Sequence, residues 1–197
     1  MPVSISKGNA KMGAIQSVSL PSGVTCRVCE CNKKCYARRL ERRRKSVREA
    51  YRNNLEILTT ESDTYWREAA IMLSRYFRFH VSGDIPDATY LWRMVEVARR
   101  NPHCEILCFT KKYELVNDLL RNAVQLPSNL HMVFSAWRGL NMGNPFNLPE
   151  AHVRYRDGTT TAREDAKECG GNCVDCAIVD DGCWSLKAGE QVVFNEH

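Results

Sequence analysis

A chain of 197 residues with 44% apolar and 26% charged residues is long enough for one sizeable core and has the balance of an ordinary globular protein. Four Trp, seven Tyr and six Phe exclude a disordered chain, and no apolar run approaches the ~20 residues that a membrane-spanning helix requires. The net charge of +5 is local, because "RRLERRRK", Arg38 to Lys45, carries most of it. The first twenty residues hold no continuous apolar stretch of the kind that directs secretion, so the expected compartment is a reducing cytoplasm.

In chain order, Ser17–Leu20 reads as a short strand stopped by the turn Pro21-Ser22-Gly23. Four cysteines follow at Cys26, Cys29, Cys31 and Cys35. Leu40, Val47, Tyr51, Leu55 and Leu58 then recur on one face of a helix predicted from about Tyr36 to Leu58, with arginines at the remaining positions. A second helix is predicted after Thr60, with Thr60 and Asp63 as a capping pair and Trp66, Ala69, Ala70 and Leu73 as its buried stripe. Phe77, Phe79 and Val81 alternate with Arg78 and His80, which predicts a strand ending at Ser82-Gly83-Asp84. Pro86 and Asp87 open a third helix that buries Leu91, Met94, Val95 and Ala98. The strand "CEILCFTKK" comes next, with Cys104 and Cys108 expected as small apolar core residues. Val116, Leu119, Leu120 and Ala123 mark a fourth helix, and "LHMVFSAW" another strand.

Beyond Trp137 the pattern changes. "RGLNMGNPFNLPE" reads as loop, "HVRYRDGTT" as an edge strand, and "EQVVF" as a last short strand. Strands alternating with helices, the strands apolar almost without interruption, predict an α/β fold. It would be a partial (βα) barrel or an open parallel sheet, since a complete eight-fold barrel needs ~250 residues. The expected organisation is a single domain: a strand and cysteine loop over 1–37, a βα core over 38–137, and a cysteine-rich, cluster-binding segment over 138–197.

The ten cysteines carry the chemistry. In a reducing compartment, dense cysteine spacing points to metal or redox sites more often than to disulfides. Near the start the spacing is C-x2-C-x-C-x3-C. Near the end, Cys169, Cys173, Cys176 and Cys183 are spaced C-x3-C-x2-C-x6-C, with Gly170 and Gly171 giving the backbone freedom to bend around a large group. Compact groups of three or four thiolates suit an iron–sulfur cluster. The two C-x2-C pairs, Cys26/Cys29 and Cys173/Cys176, also suit zinc, though ~140 residues apart, which is long for a zinc ribbon.

The segment Cys169-x3-Cys173-x2-Cys176 resembles the cluster-binding signature of the radical S-adenosylmethionine enzymes. Cys35-Tyr36-Ala37 is similar to the end of that superfamily's cluster loop. The resemblance implies a partial (βα) barrel and one or two [4Fe-4S] clusters, held by Cys26, Cys29, Cys31 and Cys35 and by Cys169, Cys173, Cys176 and Cys183. It also implies S-adenosylmethionine as a co-substrate wherever an iron is left open; Cys183 as a fourth ligand would close it. A closer resemblance, on "CYA", "HVSGD", a "TK" strand and a terminal "C-x2-C…CW", is to the gene product 88 family of phage proteins. It covers most of the chain and implies no particular activity.

Strand ends supply the remaining candidates, because βα folds gather their sites there. His80, Asp84 and Lys111 are the candidate catalytic residues, and Ser82, Gly83, Ser135 and Trp137 the candidate cofactor-binding residues. Their structural readings stay open beside these, with Asp84 as a turn cap and His80 as a satisfied core histidine. The expected function is iron–sulfur redox or radical chemistry on a substrate, or electron transfer to a redox partner. The alternative is a zinc-stabilised module that grips nucleic acid through the Arg38–Arg48 helix.

Overall fold

The computed structural model describes residues 2–26, 31, 34–71, 74–179 and 182–196; Leu73, assigned above to a buried stripe, lies outside them. Among the described residues the elements are β1 (Ile5–Ser6), β2 (Gln16–Val18), α1 (Tyr36–Arg43), α2 (Lys45–Thr60), α3 (Ser62–Ile71), β3 (Tyr76–Phe79), α4 (Ala88–Arg100), β4 (Glu105–Thr110), α5 (Tyr113–Arg121), β5 (Leu130–Ser135), β6 (Glu150–Arg154), β7 (Lys167–Glu168), α6 (Cys173–Ile178) and β8 (Gln191–Asn195). The strands form one sheet in the order β1-β2-β3-β4-β5-β6-β8-β7. Every neighbouring pair is parallel except β1 with β2. No helix among the described residues is long and apolar enough to cross a membrane.

The central strands are apolar on both faces. In β4, Ile106, Cys108 and Thr110 alternate with Leu107 and Phe109, so both sides of the sheet need covering. On one side Phe77, Phe79, Ile106, Cys108, Met132 and Phe134 pack beneath helical residues such as Trp66, Leu91, Met94 and Val116. Cys104 and Cys108 are fully buried core thiols. On the other side Leu107, Val133, Ala151 and Val192 are covered by Met12 and Ile15, ahead of β2, and by Ala177, Trp184 and Leu186 from the C-terminal segment. Each buried Val, Leu, Ile, Met or Phe among them contributes about 1.5–3 kcal/mol by leaving water.

The sheet curls toward this second face. β4 and β8 are separated by β5 and β6, which in a flat sheet would put them ~14 Å apart at ~4.8 Å per strand. The Phe109 and Phe194 rings nevertheless meet across the concave side with centroids 5.8 Å apart. Lys34, which follows β2 in sequence, also reaches Glu196 beyond β8 at 2.5 Å.

Three sequence expectations are corrected. The single helix Tyr36–Leu58 is two helices, because Arg44 takes an extended conformation (φ −122°, ψ 102°) between α1 and α2. The break falls in the seven-residue gap between Leu40 and Val47, where no apolar side chain holds the helix down and crowded arginines repel. Thr60 does not cap the next helix; its hydroxyl donates back to the Glu56 carbonyl at 2.8 Å and ends α2. The segment assigned as an edge strand is β6, an interior strand between β5 and β8, and β7 lies at the edge instead.

The loop after β3 fastens its neighbours. The Asp84 carboxylate accepts from the Thr110 hydroxyl at 2.6 Å, the Lys111 amide at 2.9 Å and the Ile85 amide at 2.8 Å, while the Asp84 amide donates to the Thr25 hydroxyl at 3.0 Å. One buried residue thus ties together the chain after β2, β3 and β4. Burial raises the Asp84 carboxyl above its usual range, opposed by the Thr110 and Lys111 hydrogen bonds. Gly83 sits at φ +80°, and a Cβ there would lie 2.7 Å from both the Leu20 carbonyl oxygen and the Thr25 hydroxyl.

His80, also left-handed at φ +63°, is buried and turns inward. Its Nε2 lies 3.0 Å from the Tyr90 hydroxyl, which is 2.8 Å from that of Tyr65. Burial, aided by the charge of Arg78, pulls the His80 pKa from 6.5 to about 3. Between those values the unfolded chain binds a proton that the folded one refuses, so stability falls as pH is lowered through that window.

Three outcomes are expected. Asp84→Ala strands three donors and costs about 3 kcal/mol, and Gly83→Ala costs about 2 kcal/mol through strain, both read from urea unfolding midpoints. The His80→Asn variant, which tolerates the left-handed backbone, loses most of the acid-side decline in stability that the unaltered chain shows from about pH 7 to about pH 4.

Candidate metal centre

The C-terminal cysteines are placed by separate anchors. The Cys169 amide donates to the Val193 carbonyl of β8 at 3.0 Å, which fixes the start of the group at the sheet. The Cys173 amide donates to the Lys11 carbonyl at 2.9 Å, which fixes α6 to the segment ahead of β2. Asn172 caps α6, accepting from the Val174 and Asp175 amides at 3.0 and 3.4 Å. Cys173 and Cys176 then stand three residues apart in α6 and share one side of its turn. Gly182 lies against Cys176: a Cβ at 182 would come within 2.6 Å of the Cys176 Cβ and 3.1 Å of its sulfur.

All four cysteines are half-buried, and Cys169, Cys173 and Cys183 stand outside any disulfide. A hollow of about 50 Å³ opens between Cys169, Cys176 and Cys183, backed by Leu186 and Val192. Among the described residues no three His, Cys, Asp or Glu side chains already converge as metal ligands. Burial pushes the Cys183 thiol up to about 12, with Arg78 opposing and the three neighbouring cysteines adding to the rise. Burial likewise raises Cys173, against the charges of Arg78 and Lys11. As bare thiols in this setting Cys173 and Cys183 resist ionisation; a thiolate there requires a cation beside it.

Arg78 is the cation that acts on both Cys173 and Cys183. It points from β3 to the concave face, opposite to Phe77 and Phe79, and stacks over Phe109 at 4.8 Å. In the sequence Arg78 reads as the polar half of a strand alternation. An arginine facing a side that is itself apolar was the available signal. Trp184, Gly182 and Lys11 were missed for a different reason, since only the tertiary fold brings them to the sulfurs.

The N-terminal group is only partly described. Cys26 and Cys35 are free and half-buried, Cys31 is disulfide-bonded, and Cys29 lies outside the described residues. Burial raises the Cys26 thiol; a Gly23 backbone hydrogen bond opposes this, Asp84 adds to it, and Lys111 opposes it. Tyr36 stands between the two groups, its hydroxyl donating to the Val81 carbonyl at 2.5 Å and lying within electrostatic reach of Cys35, Cys26 and Cys173.

The other candidates are divided. Lys111 faces Cys26 electrostatically while its amide holds Asp84. Ser82 is buried, its hydroxyl donating to Glu41 at 2.8 Å. Gly83 and Asp84 form the loop fastening described above, and His80 faces the helix-side core. The Ser135 carbonyl accepts from the Tyr113 hydroxyl, and Trp137 packs edge-on against Tyr155 at 5.5 Å. Neither of these last two is brought to the cysteines by any of these contacts.

The family model described as Gene product 88 matches residues 3–182. The Gene 88 protein of Mycobacterium phage L5 is 32% identical over 121 residues, covering 53% of this chain and 51% of that protein. The Gene 88 protein of Mycobacterium phage D29 is 30% identical over 146 residues, covering 66% of this chain and 60% of that protein. The matched part of the chain thus spans a little over half the length of these phage relatives. No solved structure matches the chain. With the family model running through both strand-end loops and into the second cysteine group, the chain belongs to the gene product 88 family.

Proposed function

We propose that this protein binds an iron–sulfur cluster through Cys169, Cys173, Cys176 and Cys183 and uses it for redox chemistry or electron transfer. The observation that carries the reading is the gathering of four cysteines within electrostatic reach of one another, three of them around one hollow, on a face that also holds the Arg78 and Lys11 cations. Anionic thiolates need such cations, and the donor set suits a soft metal. The cluster, when bound, supplies one-electron chemistry. The chain holds it, keeps Leu186 and Val192 against it, and offsets its charge.

Four protein sulfurs would leave no iron open, which favours electron transfer over binding of S-adenosylmethionine. A curled parallel sheet supports a radical-SAM-like partial barrel only at the level of architecture. A second cluster at Cys26, Cys29, Cys31 and Cys35 would first require reduction of the disulfide at Cys31.

The second reading, a zinc-stabilised nucleic-acid-binding module, is favoured by one feature of the basic run. Arg38–Arg48 holds seven cations and one acid, Glu41. Glu41 is buried and turned inward, accepting from the Ser22 amide at 3.0 Å and the Ser82 hydroxyl at 2.8 Å. The exposed side at Arg42, Arg43, Arg44 and Lys45 is therefore cationic, with Lys45 alone paired, to Glu49, among the ion pairs of the described residues. Such a corner suits the phosphates of a nucleic acid.

Protein purified without oxygen is expected to be brown, with broad absorbance near ~400 nm and matched iron and acid-labile sulfide. Cys176→Ser and Gly182→Ala are expected to lower the iron content, whereas stoichiometric zinc in colourless protein would overturn the cluster and leave the zinc module. Loss of S-adenosylmethionine on incubation with reduced protein would show that an iron is open. For the second reading, duplex DNA binding by fluorescence anisotropy is expected to weaken steeply with salt. Reversing Arg42, Arg43 and Arg44 to Glu should reduce the salt slope by roughly 3; an unchanged slope would exclude this corner.

A further inference from the structure

Two side-chain donors on the concave face have no hydrogen-bond acceptor among the described residues: Arg78 Nε and Trp184 Nε1. They come from elements far apart in sequence, β3 and the segment after α6, and both are in the region where the cysteines gather. Trp184 is buried in the same apolar cluster against which Cys169, Cys173 and Cys183 pack. Its ring is held edge-on to Tyr76 at 5.8 Å, and the Tyr76 hydroxyl donates to the Ala177 carbonyl of α6 at 2.8 Å. Arg78 lies two residues along β3 from Tyr76, on the same face, with its guanidinium over Phe109.

Buried donors are almost always satisfied, so an unsatisfied pair at one place asks for an acceptor. Neither indole nor guanidinium can turn this need around, since both are donors only. What stands nearby in quantity is sulfur. We infer that the N–H groups of Arg78 and Trp184 donate to the sulfurs of the metal–sulfur unit held by Cys169, Cys173, Cys176 and Cys183, and so set its reduction potential. This rests on the cluster reading above. Adding an electron to a thiolate-bound cluster adds negative charge, which N–H···S hydrogen bonds and a guanidinium stabilise in the reduced form more than in the oxidised form. Arg78 and Trp184 are positioning residues here, acting on the cluster rather than on a substrate.

The test is the midpoint potential of anaerobically loaded protein. Trp184→Phe keeps a ring against Tyr76 and removes only the N–H; Arg78→Lys keeps the charge and removes the Nε donor; Arg78→Gln removes the charge. All three are expected at more negative potentials than the unaltered chain, with Arg78→Gln the furthest shifted. Faster loss of iron to a chelator is expected in the same order, while far-UV circular dichroism stays unchanged. Loaded variants whose potentials equal that of the unaltered chain would overturn this inference and leave the cluster reading standing. Protein that takes up no iron and sulfide under reconstitution would overturn both.

Discussion

A parallel sheet whose central strands are apolar on both faces cannot leave either face in water. In this molecule that constraint decides the rest. The helices between strands cover one side, as connections between parallel strands must. The other side is covered by the segment ahead of β2 and by the segment after β6, which includes the short helix α6. Residues ahead of β2 bring Met12 and Ile15, and the segment after β6 returns with Ala177, Trp184 and Leu186. The cysteines travel with that cover. Their arrival on the concave face is a consequence of packing as much as of chemistry.

Electrostatics on that face follow from the same arrangement. A buried thiol resists ionisation, and neighbouring cysteines add to this, as at Cys173 and Cys183, both raised by burial first. The counter-charge comes from a strand, where Arg78 takes a place that alternation would otherwise give to an apolar residue. Fixing the cation on β3 and the sulfurs on the returning segment means that no single segment of the chain brings cation and sulfur together. The curl of the sheet, visible in the meeting of Phe109 with Phe194, is what closes the distance between them.

The alternation of apolar strands and helices made the core of the fold legible in the sequence, and β3, β4, β5, α4 and α5 fall where periodicity puts them. What escaped is instructive in physical terms. β6 reads as an edge because His152 and Arg154 are polar, yet His152 is buried and satisfied by Glu150 at 2.9 Å and Thr161 at 2.9 Å, partners that only the folded sheet supplies. The break at Arg44 lies where the apolar series falls silent. Of the strand-end candidates, Asp84 has the geometry of a turn fastening and His80 that of a buried core histidine, both readings that residue type alone left open. The cysteine groups were legible by spacing. Their cations were not, since Arg78, Lys11 and the sulfurs are brought together by contacts across more than sixty residues of chain.

Glu41 gives the basic helix an unusual attachment. Its carboxylate is shared between the Ser22 amide, in the turn after β2, and the Ser82 hydroxyl, in the turn after β3. The most positively charged element of the molecule is thereby moored, by its sole acid, to the two turns that flank Cys26 and the Asp84 fastening. Whatever tugs on those arginines from outside pulls directly on the rim of the sheet, so that load on the surface and geometry beside the thiols are mechanically one variable.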